Sequence, residues 1–67
     1  MNNWTILIVD DEKVIRDILV GMLEIDGDST LLTASNGMEA LEVYQNNQID
    51  LIFTNVGIFF LVYPSDH

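Results

Sequence analysis

The 67-residue chain predicts an α/β fold built on a three-stranded parallel sheet, and three observations carry that reading. The stretch "WTILIVDDE" is a continuous apolar run rich in β-branched residues and closed by acids, which suits a strand covered on both faces. The stretch "EKVIRDILVGMLEIDG" then changes to helical spacing. Strand and helix candidates alternate from there with short connections. Two overlapping strand–helix–strand units result, which call for parallel strands and right-handed crossovers.

Each element has its own signals. In the first strand Ile6, Leu7, Ile8 and Val9 do not alternate with polar residues. The first helix gathers Val14, Ile15, Ile18, Leu19, Met22 and Leu23 on one apolar stripe, with Lys13, Arg16, Asp17 and Glu24 off it. Asp10 or Asp11 is placed to cap its start, and Gly27 to stop the chain after it. "STLLTAS" is a second short strand, and Asn36-Gly37 marks the turn that follows. "MEALEVYQNN" reads as a second helix with Ala40, Leu41 and Tyr44 on its inner face. "QIDLIFTN" is the third strand, ending on Asn55. The two crossovers place one helix on each face of the sheet.

The last stretch, "VGIFFLVYPSDH", breaks the alternation. Residues 59–63 look like strand again, too close to the third strand for a helical crossover. A tight turn at Val56 and Gly57 folds the tail back as an antiparallel edge strand. An unstructured tail, or one swapped into another copy, fits the same residues. The chain thus divides into a compact unit, residues 1–57, and an atypical apolar tail, residues 58–67.

Composition narrows the function. Eleven acids against two bases give a formal charge of −9. Nucleic acid and anionic membrane surfaces repel such a chain, whereas basic proteins and metal cations suit it. The lack of cysteine excludes disulfides and thiol chemistry and fits a reducing compartment. The lone His67 is an exposed end residue rather than a ligand. "MNNWTILIVDDEK" has no basic leader and does not read as a signal peptide. The apolar stretch from Ile49 to Tyr63 is too short to span a bilayer. A soluble cytoplasmic protein is expected. Trp4, Tyr44 and Tyr63 are too far apart in sequence to suggest a stacking site, and the three methionines have no ligand spacing.

In an open parallel sheet, sites form beyond the carboxyl ends of the strands. Asp10 and Asp11 follow the first strand there, and Asn55 ends the third. If those strands are neighbours, the three side chains share a pocket. Adjacent carboxylates repel each other, and a divalent cation relieves the repulsion. Magnesium takes a few carboxylate oxygens plus waters, so this set suits it. On spacing alone, however, paired acids before a helix are better read as a cap that complements the helix dipole.

Three segments in order, "ILIVDDEKVIRDIL", "TASNGMEAL" and "DLIFTN", resemble the first half of a response-regulator receiver domain, over residues 5 to 56. The resemblance implies a truncated flavodoxin-like sheet of strand order 2-1-3. It implies that Asp10 and Asp11 hold magnesium and that the backbone carbonyl of Gly57 completes the metal shell. Asn55 stands where the family has the aspartate that accepts a phosphoryl group from a sensor histidine kinase. An amide cannot attack phosphorus as an ionised nucleophile, but its oxygen remains a neutral metal ligand. The hydroxyl residue and lysine of the family's later strands have no counterpart, since Lys13 is the single lysine.

The resemblance therefore implies a receiver-like module with its acceptor replaced, magnesium binding weakened by the lost charge, and no enzymatic activity. Val14, Ile15 and Ile18 lie in the region that docks the kinase in the family, and would be partly uncovered without the later helix. The competing expectation is a fragment with no independent activity that self-associates through an exposed strand edge.

Overall fold

The computed structural model describes residues 4–25 and 27–60, with the backbone alone for residues 58–60. Met1, Tyr63 and His67, and the tail expectation from residue 61 onward, lie outside the described residues. The elements are β1 (Thr5–Val9), α1 (Lys13–Leu23), β2 (Thr30–Ala34), α2 (Gly37–Asn46), β3 (Leu51–Thr54) and β4 (Gly57–Phe60). They form one mixed sheet of order β2-β1-β3-β4.

β1 is central. It pairs in parallel with β2 from Thr5↔Thr30 to Val9↔Ala34, and with β3 from Ile6↔Leu51 to Val9↔Thr54. The parallel sheet of order 2-1-3 expected from the sequence is therefore present. Backbone bonds beyond the ladder lock its ends: Thr30 N donates to Trp4 O at 2.7 Å, and Asp50 N to Thr5 O at 2.9 Å. The Asp50 carboxylate returns the tie, accepting the Thr5 N–H at 2.9 Å. Asp50 is thus fixed at the amino end of the sheet, opposite Asp10.

The chain then reverses. β4 pairs antiparallel with β3, with Thr54↔Gly57 next to the turn. Of the three dispositions open to the tail, residues 57–60 take that of the antiparallel edge strand. The turn residues are Asn55 and Val56, not Val56 and Gly57, because the Thr54 side chain organises the corner one residue earlier. Its hydroxyl accepts the Val56 N–H at 3.1 Å and donates to the Gly57 carbonyl at 3.3 Å. Gly57 has φ 152°, a region L side chains rarely occupy.

Burial follows β1. Leu7, Ile8 and Ile49 are fully buried, and Ile6 and Ala34 nearly so. Leu7, Ala34 and Ile49 form a cluster against which Val9, Leu32, Ala40, Val43 and Ile52 pack. That is the α2 side. Ile6 and Ile8 point the other way by strand alternation, toward α1. Both faces of β1 are covered, which explains its unbroken apolar run. Removing each such side chain from water contributes about 1.5–3 kcal/mol.

The helices differ from expectation on which residues face in. On α1 the half-buried positions are Arg16, Leu19, Val20 and Leu23, one turn-to-turn row. Val14, Ile15 and Ile18, expected to be partly uncovered, are exposed, and so is Met22 of the same stripe. On α2 the inward residues are Ala40 and Val43, while Leu41 and Tyr44 are exposed. In both cases the apolar stripe is wider than the sheet surface beneath it, and the helix rotates its smaller or longer-reaching residues inward.

The caps also differ. The N-cap of α1 is Glu12, whose side chain makes no capping bond. Asp10 acts one step earlier, its Oδ1 accepting the Glu12 N–H at 2.9 Å. After α1, the Gly27 N–H bonds the Glu24 carbonyl at 3.0 Å with Gly27 at φ 72°, the left-handed conformation that ends a helix.

α2 is capped more fully. Asn36 Oδ1 accepts the Glu39 N–H at 2.8 Å, and Glu39 Oε1 reaches back to the N–H and hydroxyl of Ser35. This is a capping box displaced by one residue. Asn36→Ala should lower stability by about 1 kcal/mol, read as a shift in the urea midpoint. The Ser35 N–H, then its hydroxyl, hold the Glu39 carboxyl below its ordinary value of 4.5, with a smaller contribution from Arg16. A carboxyl depressed on folding stabilises the fold above its unfolded pKa, and that stability is lost as pH falls through the lowered folded value. The urea midpoint should therefore drop as pH falls below 4.5. Glu39→Gln should show a shallower drop over the same window.

Candidate functional site

The site lies at the carboxyl ends of β1 and β3. Because Val9 is level with Thr54, Asp10 and Asn55 leave neighbouring strands at the same height. Adjacent strands run about 4.8 Å apart, so the two residues begin the site side by side.

Asp10 is the anchored member. It is 7% exposed, the one buried polar or charged residue among the described residues. Its N–H donates to Ala34 O at 3.1 Å, its carboxylate takes the Glu12 N–H, and its carbonyl accepts Arg16 Nη1 at 2.7 Å. Three hydrogen bonds therefore hold the β1–α1 loop. Asp11 and Asn55 are exposed at the rim. Gly57 lies in β4, and its carbonyl receives the Thr54 hydroxyl. Val14, Ile15 and Ile18 lie on α1 and are 69%, 37% and 52% exposed.

Arg16 is the residue that sequence reasoning missed. It was placed off the apolar stripe, yet it is half-buried and its guanidinium clamps the loop. The row of residues 16, 19, 20 and 23 was the signal that could have found it. Lys13 instead pairs with Asp17 at 2.8 Å on the exposed side of the helix.

A second feature is apolar. A concavity of about 320 Å³ opens between α2 and the β1–β3 surface, lined by Leu7, Gly37, Ala40, Leu41, Tyr44 and Ile52.

The sequence that forms this site, at the switch between β1 and β3, has clear relatives. The chain matches the response regulator receiver domain over residues 6–58, and it belongs to that family. It is 45% identical over 56 residues to the transcriptional regulatory protein YvrH of Bacillus subtilis (strain 168), covering 84% of this chain and 24% of that protein. It is 49% identical over 51 residues to the probable transcriptional regulator ycf27 of Cyanidium caldarium, covering 76% of this chain and 20% of that one. The chain thus spans about a quarter or less of the curated relatives it matches. No solved structure gives a significant match.

Receiver domains of response regulators are signalling modules of two-component systems, and as a family they bind magnesium and interact with histidine kinases. Among the described residues no group of three or more His, Cys, Asp or Glu is set to hold a metal ion. The donor set is two carboxylates, Asp10 and Asp11, beside a neutral amide. Magnesium keeps several waters and is held by one or two carboxylates in many sites, so the set fits a weakly held ion. Among the described residues no helix is long and apolar enough to cross a membrane.

Proposed function

We propose that this chain is a receiver-like module of two-component phosphorelay signalling that takes no phosphoryl group at position 55 and acts by binding a partner. One observation supports the reading: Val9 is level with Thr54 on neighbouring strands, so position 55 follows the carboxyl end of β3 as Asp10 follows that of β1. The Asn55 amide is not an ionised nucleophile. Asp50, the carboxylate nearest to it in sequence, is tied to Thr5 at the other end of the sheet. The reading includes magnesium held weakly by Asp10 and Asp11, with Asn55 and the Gly57 carbonyl as neutral oxygens. The ion would supply positive charge that offsets the paired acids. Asp10 is fixed for this by Arg16 and the Glu12 N–H.

The partner is a sensor histidine kinase, met through Val14, Ile15 and Ile18. Their exposure supports this, since apolar side chains grouped on one helix face favour a docking surface. The charge of −9 opposes nucleic acid as a partner. The reading carries no enzymatic activity and a cytoplasmic setting. It treats residues 1–57 as the receiver-like unit and residues 58–67 as an added tail, although β4 already extends the sheet across that boundary.

The test is incubation with a small phosphodonor and magnesium, read by intact-mass spectrometry. No added phosphoryl mass is expected. Stable incorporation would sink the proposal.

A second reading is self-association through an exposed strand edge, without independent activity. The half-buried state of every residue of β3 favours it.

A further inference from the structure

Both helices pack against β1 and β2, while α2 faces β3 only across the concavity that Leu41 and Tyr44 line with Ile52. β3 has the composition of a doubly covered strand, "LIFT", yet no residue of it is buried. Among the described residues β4 is the edge strand, and no described strand pairs with its outer edge. Natural edge strands are usually guarded by charge, proline or a bulge. Residues 57–60 are "GIFF" and carry no charge and no proline.

We infer that β4 pairs antiparallel with β4 of a second copy about a two-fold axis. The product is one eight-stranded sheet of order β2-β1-β3-β4-β4′-β3′-β1′-β2′. This deepens the self-association reading above and rests on it. Charge selects the occupant. No charged residue occurs between Asp50 and Asp66, whereas the acids crowd the other elements and loops. A cationic partner is drawn to those acids, not to this edge. A neutral strand fits here, and another copy of the chain offers one while keeping its own acids at the far side. The opposite edge is unlike it, since β2 is approached through Asp28 and carries the exposed polar residues Thr30 and Thr33.

Antiparallel pairing of identical strands is self-complementary and closes at two copies, so it gives a dimer and not a fibre. It also sets the two β3–β4 halves side by side. A ladder this short makes the dimer concentration-dependent.

Sedimentation equilibrium of the full chain over a range of concentrations is the first arm, and a dimer is expected. The second arm mixes isotope-labelled and unlabelled copies and reads intermolecular contacts by filtered NMR, expected at the amides of residues 57–60. The third arm uses Ile58→Glu and Phe59→Glu, one for each face of β4. Each should raise the dimer dissociation constant by about tenfold through like charges facing across the axis, while the amide dispersion of β1–β3 persists. A monomer at every concentration overturns the inference together with the self-association reading. A dimer whose contacts lie on α1 or β2 overturns the β4 pairing alone. If a variant loses its dispersion, the mixed-label contacts of the unaltered chain decide.

Discussion

Asn55→Asp should tighten magnesium binding by about tenfold and leave the fold unchanged. The physical case rests on charge. Asp10 and Asn55 leave adjacent strands at the same level, so a carboxylate at position 55 would face the same ion as Asp10 and Asp11. A unit charge about 5 Å from a divalent cation is worth roughly 1–2 kcal/mol even at solvent-like dielectric, which corresponds to about tenfold in affinity. Position 55 is exposed and sits in a turn, where aspartate is as well tolerated as asparagine, so stability should hardly move. The measurement is a magnesium titration followed at the amides of Asp10, Asp11 and residue 55 in both chains. Equal affinities would show that the Asn55 side chain does not belong to the acidic pocket. Asp10→Asn should act in the opposite direction, weakening the ion's hold by a comparable factor in the unaltered background.

How much of this could be read from the residues varies with the physics behind each element. β1 was legible because an unbroken apolar run of β-branched residues has few stable placements other than the middle of a parallel sheet. The strand order followed from the family resemblance, and the crossover rule then set the helices. The acidic pair was legible as a position, and its anchoring was not. Arg16 looks like a surface charge in a helical projection, because hydrophobic spacing ignores a long side chain that buries its stem and delivers its head to a carbonyl. The α1 stripe was legible as an apolar face, and the residues of it that the sheet covers were not. Periodicity locates an apolar face and says nothing of whether the sheet is wide enough to cover it. Here the sheet covers Leu19 and Leu23 and leaves Val14 and Ile18 in water. The turn was placed one residue late because its corner depends on the Thr54 hydroxyl, a local bond that composition does not reveal.

The same uneven coverage sets the size of the last prediction. Leu7→Ala should bring the chain to the edge of unfolding at 25 °C, whereas Ile18→Ala should change stability by less than about 0.5 kcal/mol. Leu7 is fully buried on the central strand and touches the cluster of Ala34 and Ile49. Truncating such a leucine costs about 2–5 kcal/mol, because apolar contact is lost and the surroundings close only partly. A chain of this length has about 3–10 kcal/mol to lose, from the usual stability per residue. Two features place it at the low end of that range. Every residue of β3 is left half-buried, and neither helix holds a fully buried residue. The concavity beside Leu7 allows some collapse, which favours the lower half of the truncation cost. Even so, that loss is most of what remains. Ile18 is 52% exposed, and its truncation removes little that folding had buried. Urea unfolding followed by circular dichroism separates the two cases. If Leu7→Ala stays folded with a midpoint near that of the unaltered chain, its stability does not reside in the β1–α2 core. It would then have to come from the β3–β4 half, through contacts with another copy.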